Sequence, residues 1–352
     1  MNGEPSNTLT TPKTLVQAVT YFSDLDVAHR FFVNVRWPDG VVCPHCGSTG
    51  ATYNPTHRRF QCNRSHDRRQ FTVKTGTVME ESPMGLDKWA VAFWLEVNAK
   101  NSISSYELHR AIGITQKSAW FMLHRVRLAV QTGPISTMGG NGSAGVDADE
   151  TFVGGLAKNM HRAKRAGLTG TCGTDKAVVM GILDRDVTEV IEGKNKIKRH
   201  SKAIASVVPN TQSQTLHTVI YKNVEKGSEV FTDAHRGYFG LSEDFIQGIV
   251  DHAQKYVDGK IHTNGLESFW SVFKRRIKGT HVSVEPFHLH AYLDSQVFRF
   301  NNRGLKDGGR FTLALQGMTG KRLTYKQLIG SDITKFLPAS DDNGAGSDRS
   351  TI

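Results

Sequence analysis

PISTMGGNGSAGVDADETFV, residues 134–153, is where the chain changes character. Its first twelve residues, 134–145, are rich in Gly and Ser and hold no apolar period, the composition of a linker between folded units. The remainder alternates, and because successive strand side chains point to opposite faces, Asp147 and Asp149 fall on one face. Upstream, apolar residues recur at helical spacing. Residues 13–34 read as helical through Leu15, Val19, Phe22 and Leu25, and helical patterning resumes at Leu86 with Trp89, Phe93 and Val97 recurring at i, i+4, i+8. Downstream, KAVVMGILD (176–184), AIASVV (203–208) and SEVFTD (228–233) read as strands, with helices expected over 212–222, 264–277 and 286–301. Strands mixed with helices predict an α/β layer around one sheet. No internal repeat is present.

The 44 Lys and Arg residues exceed the 33 Asp and Glu, leaving a net charge of +11 over 352 residues. A surplus of that kind favours a polyanionic partner, because cationic side chains displace the counterions held around nucleic-acid phosphates. No apolar run approaches the ~18 residues of a membrane helix. The opening MNGEPSNTLTTPK has no signal-peptide core, so a cytoplasmic protein without membrane contact is expected. The tail from Pro338, polar and rich in Gly and Ser, is expected to be disordered.

Three of the four cysteines lie between positions 43 and 62. CPHC (43–46) is a CxxC knuckle, and CNRSH (62–66) brings Cys62 and His66 sixteen and twenty residues after Cys46. Two close pairs joined by a short hairpin suit a structural zinc ribbon, since tetrahedral Zn2+ takes four sulfur or imidazole ligands. Cys43, Cys46, Cys62 and His66 are the expected set, with His57 and His45 competing for the fourth place. Reduced cysteines without metal are the plainer alternative. Arg58, Arg59, Arg64, Arg68 and Arg69 crowd the same hairpin and offer forked donors to phosphates or guanine edges, though a merely solvated basic face has the same composition.

SISSYELHRAIGITQKSAWFMLHRVR (102–127) reads as two helices joined at Gly113. Leu108, Ile112, Ile114, Ala119 and Leu123 would form its core, leaving Thr115, Gln116, Lys117 and His124 outward, as on a helix-turn-helix recognition helix. Any glycine-jointed helical hairpin shares much of this pattern.

Acidic residues then stand at three separated places. Asp149 lies in the first strand after the linker, Asp233 ends a later strand, and Glu267 falls on the helix expected from Asn264. Phosphodiester cleavage by divalent ions needs hard carboxylate ligands converging from such positions, and Mg2+ or Mn2+ prefers them. Asn264, Glu267, Trp270, Ser271 and Lys274 recur at spacings of three and four, which places them on one helix face. Lys274 opens the basic run Lys274, Arg275, Arg276, Ile277, Lys278, suited to phosphates beside a scissile bond. Strand-end and helix-cap acids without metal would look the same from spacing alone.

Six blocks in order give these residues a family context: RWPDG…CPHCGS, QFTVKTGTVME, DADETFVGG, FTDAHRGY, HTNGLESFWSVFKRRIKGT and FRFNNR. Over residues 15–305 the chain resembles the ISXO-type insertion-sequence transposases, a DDE family with an N-terminal zinc ribbon. The resemblance implies an RNase H-like catalytic domain, with Asp149 and Asp233 as the first two acids and Glu267 as the third. The family varies at that third position, so Asn264 and His262 stay open, and Asp147 competes with Asp149. Lys274 matches the basic residue that follows the final acid. The implied activity is hydrolysis at transposon ends followed by attack of the freed 3′-hydroxyl on target DNA. Implied partners are terminal inverted repeats, target DNA and further copies of the chain; the implied setting is a bacterial cytoplasm, on the nucleoid when DNA is bound. The second knuckle departs from the family, having a His and three intervening residues where another CxxC is usual.

The expected organisation is a helical segment (1–35), a zinc ribbon (36–80), a helix-turn-helix-like region (81–133), the linker (134–145), a catalytic domain (146–305), an extension (306–337) and the tail (338–352). A non-catalytic DNA-binding regulator and a structure-directed nuclease or resolvase are the competing functions. The basic stretches 158–165 and 194–202 could follow DNA or be solvated insertions.

Overall fold

The computed structural model describes residues 11–131, 137–154, 176–191, 194–250 and 264–330. The basic stretch 158–165, His262, the tail and the start of the linker lie outside them.

The helical stretch expected over 13–34 forms as two helices. Asp24 leaves the helical region (φ −77°, ψ 113°) and its carboxylate accepts the backbone N–H groups of Asp26 and Val27 at 2.8 and 3.1 Å. A side-chain acceptor at that position starts a new helix, because the first N–H groups of a helix have no partner within it. Helix α1 (Leu15–Ser23) and helix α2 (Leu25–Arg36) therefore differ in phase. Ala18, Phe22, Ala28, Phe31 and Phe32 are buried, whereas Leu15, Val19 and Leu25 are exposed.

Strands β1 (Ala51–Asn54), β2 (Arg59–Cys62) and β3 (Gln70–Phe71) make a small antiparallel sheet, with Ala51 opposite Cys62. Helix α3 (Leu86–Asn98) buries Leu86, Trp89, Phe93 and Val97 as their spacing requires. Helix α4 (Ser105–Ile112) opens on a capping box of Ser104 with Glu107 and ends at Gly113, whose φ of +62° is open to glycine at little cost. Helix α5 (Gln116–Val130) follows after Thr115 caps it. Leu108, Ala119 and Leu123 are buried, and Ile112 and Ile114 pack against the same core. His124 does not face outward: it is 2% exposed, its ring 4.9 Å from that of Trp120 and 4.8 Å from that of His288.

The second half is built on one five-stranded sheet of order β10-β9-β4-β5-β8. Its strands are β4 (Val146–Val153), β5 (Ala177–Asp184), β8 (Lys202–Val208), β9 (Glu229–Asp233) and β10 (Ile246–Val250). Strand β5 is antiparallel to β4 and β8, while β9 is parallel to both β4 and β10. The stretch 194–202 is not a loop: β6 (Val187–Ile191) pairs with β7 (Lys194–Arg199) as a separate hairpin before β8. Period-two alternation sends Met180 and Ile182 to one face, under helix α6 (Ser213–Asn223), and Val179 and Leu183 to the other. That second face is covered by α7 (Asn264–Arg276) and α8 (Leu289–Asn301).

The chain then returns to its beginning. Helix α9 (Asp307–Gln316) was expected within a separate extension, yet Phe311, Ala314 and Leu315 complete the core of α1, α2 and α3. The Phe311 ring lies 5.6 Å from Phe22, 6.0 Å from Phe31 and 5.3 Å from Trp94. Backbone bonds from Val78 to Met318 and from Gly320 to Gly76, both 3.0 Å, stitch the return in place. Helix α10 (Tyr325–Leu328) rests its Tyr325 ring 5.7 Å from Phe121 of α5. No described helix is long and apolar enough to cross a membrane.

Because Phe311 is fully buried, Phe311→Ala should cost about 3–5 kcal/mol. Urea denaturation followed by circular dichroism measures this; a loss near zero would mean that the C-terminal helix is not part of the N-terminal core.

Candidate functional site

Strands β4 and β9 pair only at Val146–Val230 and Asp147–Phe231. Carried two residues further, the same register sets Asp149 level with Asp233, the last residue of β9. Side chains at the carboxyl ends of neighbouring parallel strands are where open sheets collect ligands. Asp149 and Asp233 are both half-buried there. The Asp149 carboxyl is pushed up to about 7, first by burial and then by the charges of Glu150 and Asp233.

Asp149 is also held from the helix side. Trp270 of α7 donates its indole N–H to Asp149 Oδ2 at 3.0 Å. The indole lies over Gly181, which stands opposite Asp149 in the β4–β5 register; a Cβ at Gly181 would come 2.5 Å from Trp270 Cζ2. Asp147 shares the strand face but has another task. It is 1% exposed, and its Oδ1 accepts from Arg185 at 2.6 Å. The Arg185 guanidinium itself lies 3.8 Å over the Phe231 ring. Burial still outweighs Arg185 and raises Asp147 to about 6. Of the two aspartates, Asp149 is the one beside Asp233 and Glu150.

Glu150, which the sequence reading passed over, points to the opposite sheet face. Tyr238 O–H donates to Glu150 Oε2 at 2.5 Å, and His235 Nδ1 stands 3.6 Å from Oε1. The backbone N–H of His235 donates to Asp233 Oδ1 at 3.1 Å. The segment TDAHRGY thus ties Asp233 and Glu150 together. An acid next to Asp149, with Tyr and His soon after Asp233, was the available signal, but reading it needed the β4–β9 pairing.

Helix α7 turns Leu266, Phe269, Trp270 and Phe273 inward and leaves Asn264, Glu267, Ser271, Lys274 and Arg275 exposed. Trp270 therefore does not share the open face with Glu267 and Lys274. Among the described residues, Asp149, Asp233 and Glu267 are not drawn to one point; the tight sulfur and imidazole set of the ribbon is the only group of three or more His, Cys, Asp or Glu ligand atoms within 4.8 Å. Arg276, expected at a DNA surface, is 3% exposed and donates to Gln296 Oε1 at 2.5 Å. Its place in the basic run said nothing of the α8 residues that receive it.

The tight set is Cys43, Cys46, Cys62 and His66. Cys46 Sγ stands 3.7 Å from Cys62 Sγ, and Cys43 Sγ 3.5 Å from His66 Nε2. A tetrahedron with ordinary Zn–S and Zn–N bonds has edges of about 3.8 and about 3.6 Å, so the donors present fit Zn2+. Ser48 Oγ lies 3.0 Å from Cys46 Sγ and 3.2 Å from Cys62 Sγ. Its hydroxyl, first among the causes, pulls the Cys46 thiol down to about 6, which favours the ligating thiolate. His57 instead sits in the exposed turn where its N–H donates to Asn54, and the His45 ring is 6.2 Å from that of His66. Arg59 is exposed, and Arg58 donates to Asp26 at 2.7 Å on the surface.

Residues 24–68 match the transposase zinc-ribbon domain, and residues 141–301 match the ISXO2-like transposase domain. The chain belongs to the ISXO2-like transposases. It is 28% identical over 277 residues (76% of this chain, 87% of the relative) to a Halobacterium salinarum protein described as an uncharacterized protein in transposable element ISH50. It is 32% identical over 106 residues (30% of this chain, 85% of the relative) to an uncharacterized transposase-like protein of Haemophilus influenzae. No solved structure matches. In this transposase the ribbon match begins at residue 24, where α2 is capped, and not at 36. Packing explains the difference: Val33 and Trp37 lie against Cys43, Phe60, Cys62 and Phe71, so α2 supplies one wall of the ribbon.

The raised carboxyl of Asp149 makes stability depend on pH when divalent ions are chelated. Its folded value of about 7 exceeds the ordinary 3.8, so the protonated form is favoured by folding. That contribution is complete below about 4 and is lost as pH rises to about 7. Asp149→Asn should therefore flatten the fall in melting temperature across this window, measured by scanning calorimetry in chelator. Parallel curves for the variant and the parent would contradict the assignment.

Proposed function

We propose that this transposase binds the ends of an insertion sequence and, with Mg2+ or Mn2+, cuts and rejoins DNA through Asp149, Asp233 and Glu267. The observation that carries this reading is that Asp149, midway along β4, stands level with Asp233 at the carboxyl end of β9, with Glu150 next to Asp149 in the strand. The neighbours that raise Asp149 are burial and two further carboxylates. Hard, mutually repelling oxygens of that kind suit a divalent cation. Asp149 and Asp233 would hold it, with Glu267 reaching in from α7 and Asn264 as the alternative third group. The cation would supply charge to the scissile phosphate and favour the attacking oxygen.

The strand order, with β9 and β10 parallel to β4 and with β5 antiparallel, supports an RNase H-like catalytic domain. Hydrolysis would exchange one P–O3′ bond for a P–O bond to the water oxygen, leaving a 3′-hydroxyl on the element and a 5′-phosphate on the flanking DNA. That hydroxyl would then attack a target phosphate, form a new phosphodiester and release a target 3′-hydroxyl, so bond number is conserved. Exposed Lys274 and Arg275 would meet phosphates flanking the bond.

End recognition falls to the ribbon and to α4–α5, which support a helix-turn-helix-like reading through the glycine joint and the exposed Lys117. Arg59 is free of burial, and the Arg58–Asp26 pair is a surface contact worth little, so both can turn to phosphate. His124 and Arg276 are left out of the DNA surface because both are buried. Joining two ends calls for at least two copies of the chain on DNA.

Asp149→Asn and Asp233→Asn should each lower Mg2+-dependent end cleavage on the order of 10²–10³-fold and leave end binding intact. Oligonucleotide duplexes carrying the inverted repeats beside the gene provide the assay. Full cleavage by Asp149→Asn would overturn the reading, and full cleavage by Glu267→Gln would move the third role to Asn264.

A further inference from the structure

We infer that Trp270 is a positioning residue for Asp149, whose carboxylate it fixes in orientation for the catalytic cation through the indole N–H; the inference rests on the metal-dependent reading above. The indole N–H reaches Asp149 Oδ2 at 3.0 Å. An indole is a donor only and can neither ligate a cation nor lose its proton in the working range. The bond fixes the plane of the carboxylate and leaves Oδ1 without this constraint. Partners of this kind, standing behind a ligand, set its orientation and its affinity.

Three features mark the contact as built. Trp270 is 4% exposed, and its ring is set edge-on to Phe269 with centroids 5.0 Å apart, so the donor has little freedom. Gly181 provides the seat, since a Cβ there would stand 2.5 Å from Trp270 Cζ2 and 3.0 Å from Leu266 Cδ2. Strand β5 holds one glycine, and it stands opposite Asp149. Lastly, Trp270 lies one helical turn after Glu267 and one before Lys274. The same hydrogen bond thus registers the helix carrying Glu267 against the strand carrying Asp149. A mismatch of helix and strand would misplace both acids together.

Trp270→Phe removes the donor together with part of the ring seated over Gly181, so the melting temperature should fall somewhat, and the deciding readout is Mn2+ affinity measured where the variant is folded. In the full-length protein, Mn2+ binding followed by electron paramagnetic resonance should weaken about tenfold or more. The Mn2+ concentration for half-maximal end cleavage should rise by the same factor, while end binding stays at the parent's value. Gly181→Ala, which displaces the indole without touching its N–H, should weaken Mn2+ binding likewise. A purely structural role for Trp270 would lower the melting temperature and leave Mn2+ affinity unchanged, and that result would overturn the inference. Wild-type Mn2+ affinity in Trp270→Phe beside lost affinity in Asp149→Asn would overturn it too, while leaving the cleavage reading intact. Absence of end cleavage by the parent protein would sink the cleavage reading instead, and Mn2+ binding measured without DNA would still decide the role of Trp270.

Discussion

A carboxylate with no exposed surface must be answered by protein groups, and Glu96 is answered from several elements. Arg127 of α5 grips it with two bonds, at 3.1 and 3.3 Å. Ser102, in the turn before α4, donates to Oε2 at 3.0 Å, and Ser295 of α8 donates to Oε1 at 2.8 Å. Arg299 takes the Glu96 backbone carbonyl at 3.1 Å. Burial alone would raise the Glu96 pKa; Arg127, with Arg276 behind it, outweighs that and holds the carboxyl below its ordinary value. A buried pair of this type contributes little net stability when intact, yet is costly to break. Its consequence is geometric, because α3, α5 and α8 can pack only where these atoms meet.

The two halves of the transposase are joined through that point. Arg276 ends the helix that carries Glu267 and Trp270, and it bonds to Gln296 and Ser295, the latter being a direct partner of Glu96. Displacement of α3 or α5, which belong to the N-terminal half, would thus reach the end of α7 through two side chains. The returning α9 adds a second tie, since the core of α1–α3 closes only with Phe311 from beyond the sheet domain. The linker between the halves runs from one anchored body to another and does not set their arrangement by itself.

Much of this was legible in the sequence, and the failures have physical causes. The Cys43–His66 spacing, the apolar face of α3, the Gly113 joint and strands β4, β5, β8 and β9 were readable because each is encoded locally by ligand spacing or period. Asp24 hid inside a helical pattern because a cap and a helix interior differ by one side-chain bond to the backbone. Strands β6 and β7 were hidden by a run of Lys and Arg that reads as loop, and β10 by its shortness and its glycine. His124 and Arg276 looked like surface residues because their partners stand on α8 or just before it, far along the chain. Glu150 became visible only when the β4–β9 pairing set Asp233 beside it. Asp149 and Asp233 were named from strand ends and family blocks, and the register brings them level. Glu267 was named in the same way, and its exposure leaves it the acid with least support from the geometry.

Repulsion of Asp149 by Glu150 and Asp233 is the feature that gives the junction of β4 and β9 its chemistry, and the cation proposed to relieve it is the central claim. The most direct measurement is an anomalous-difference map from crystals soaked in Mn2+. The expected result is a peak in contact with Asp149 and Asp233. A fully ordered junction of β4 and β9 with no peak there, or a peak held by other acids alone, would contradict the claim.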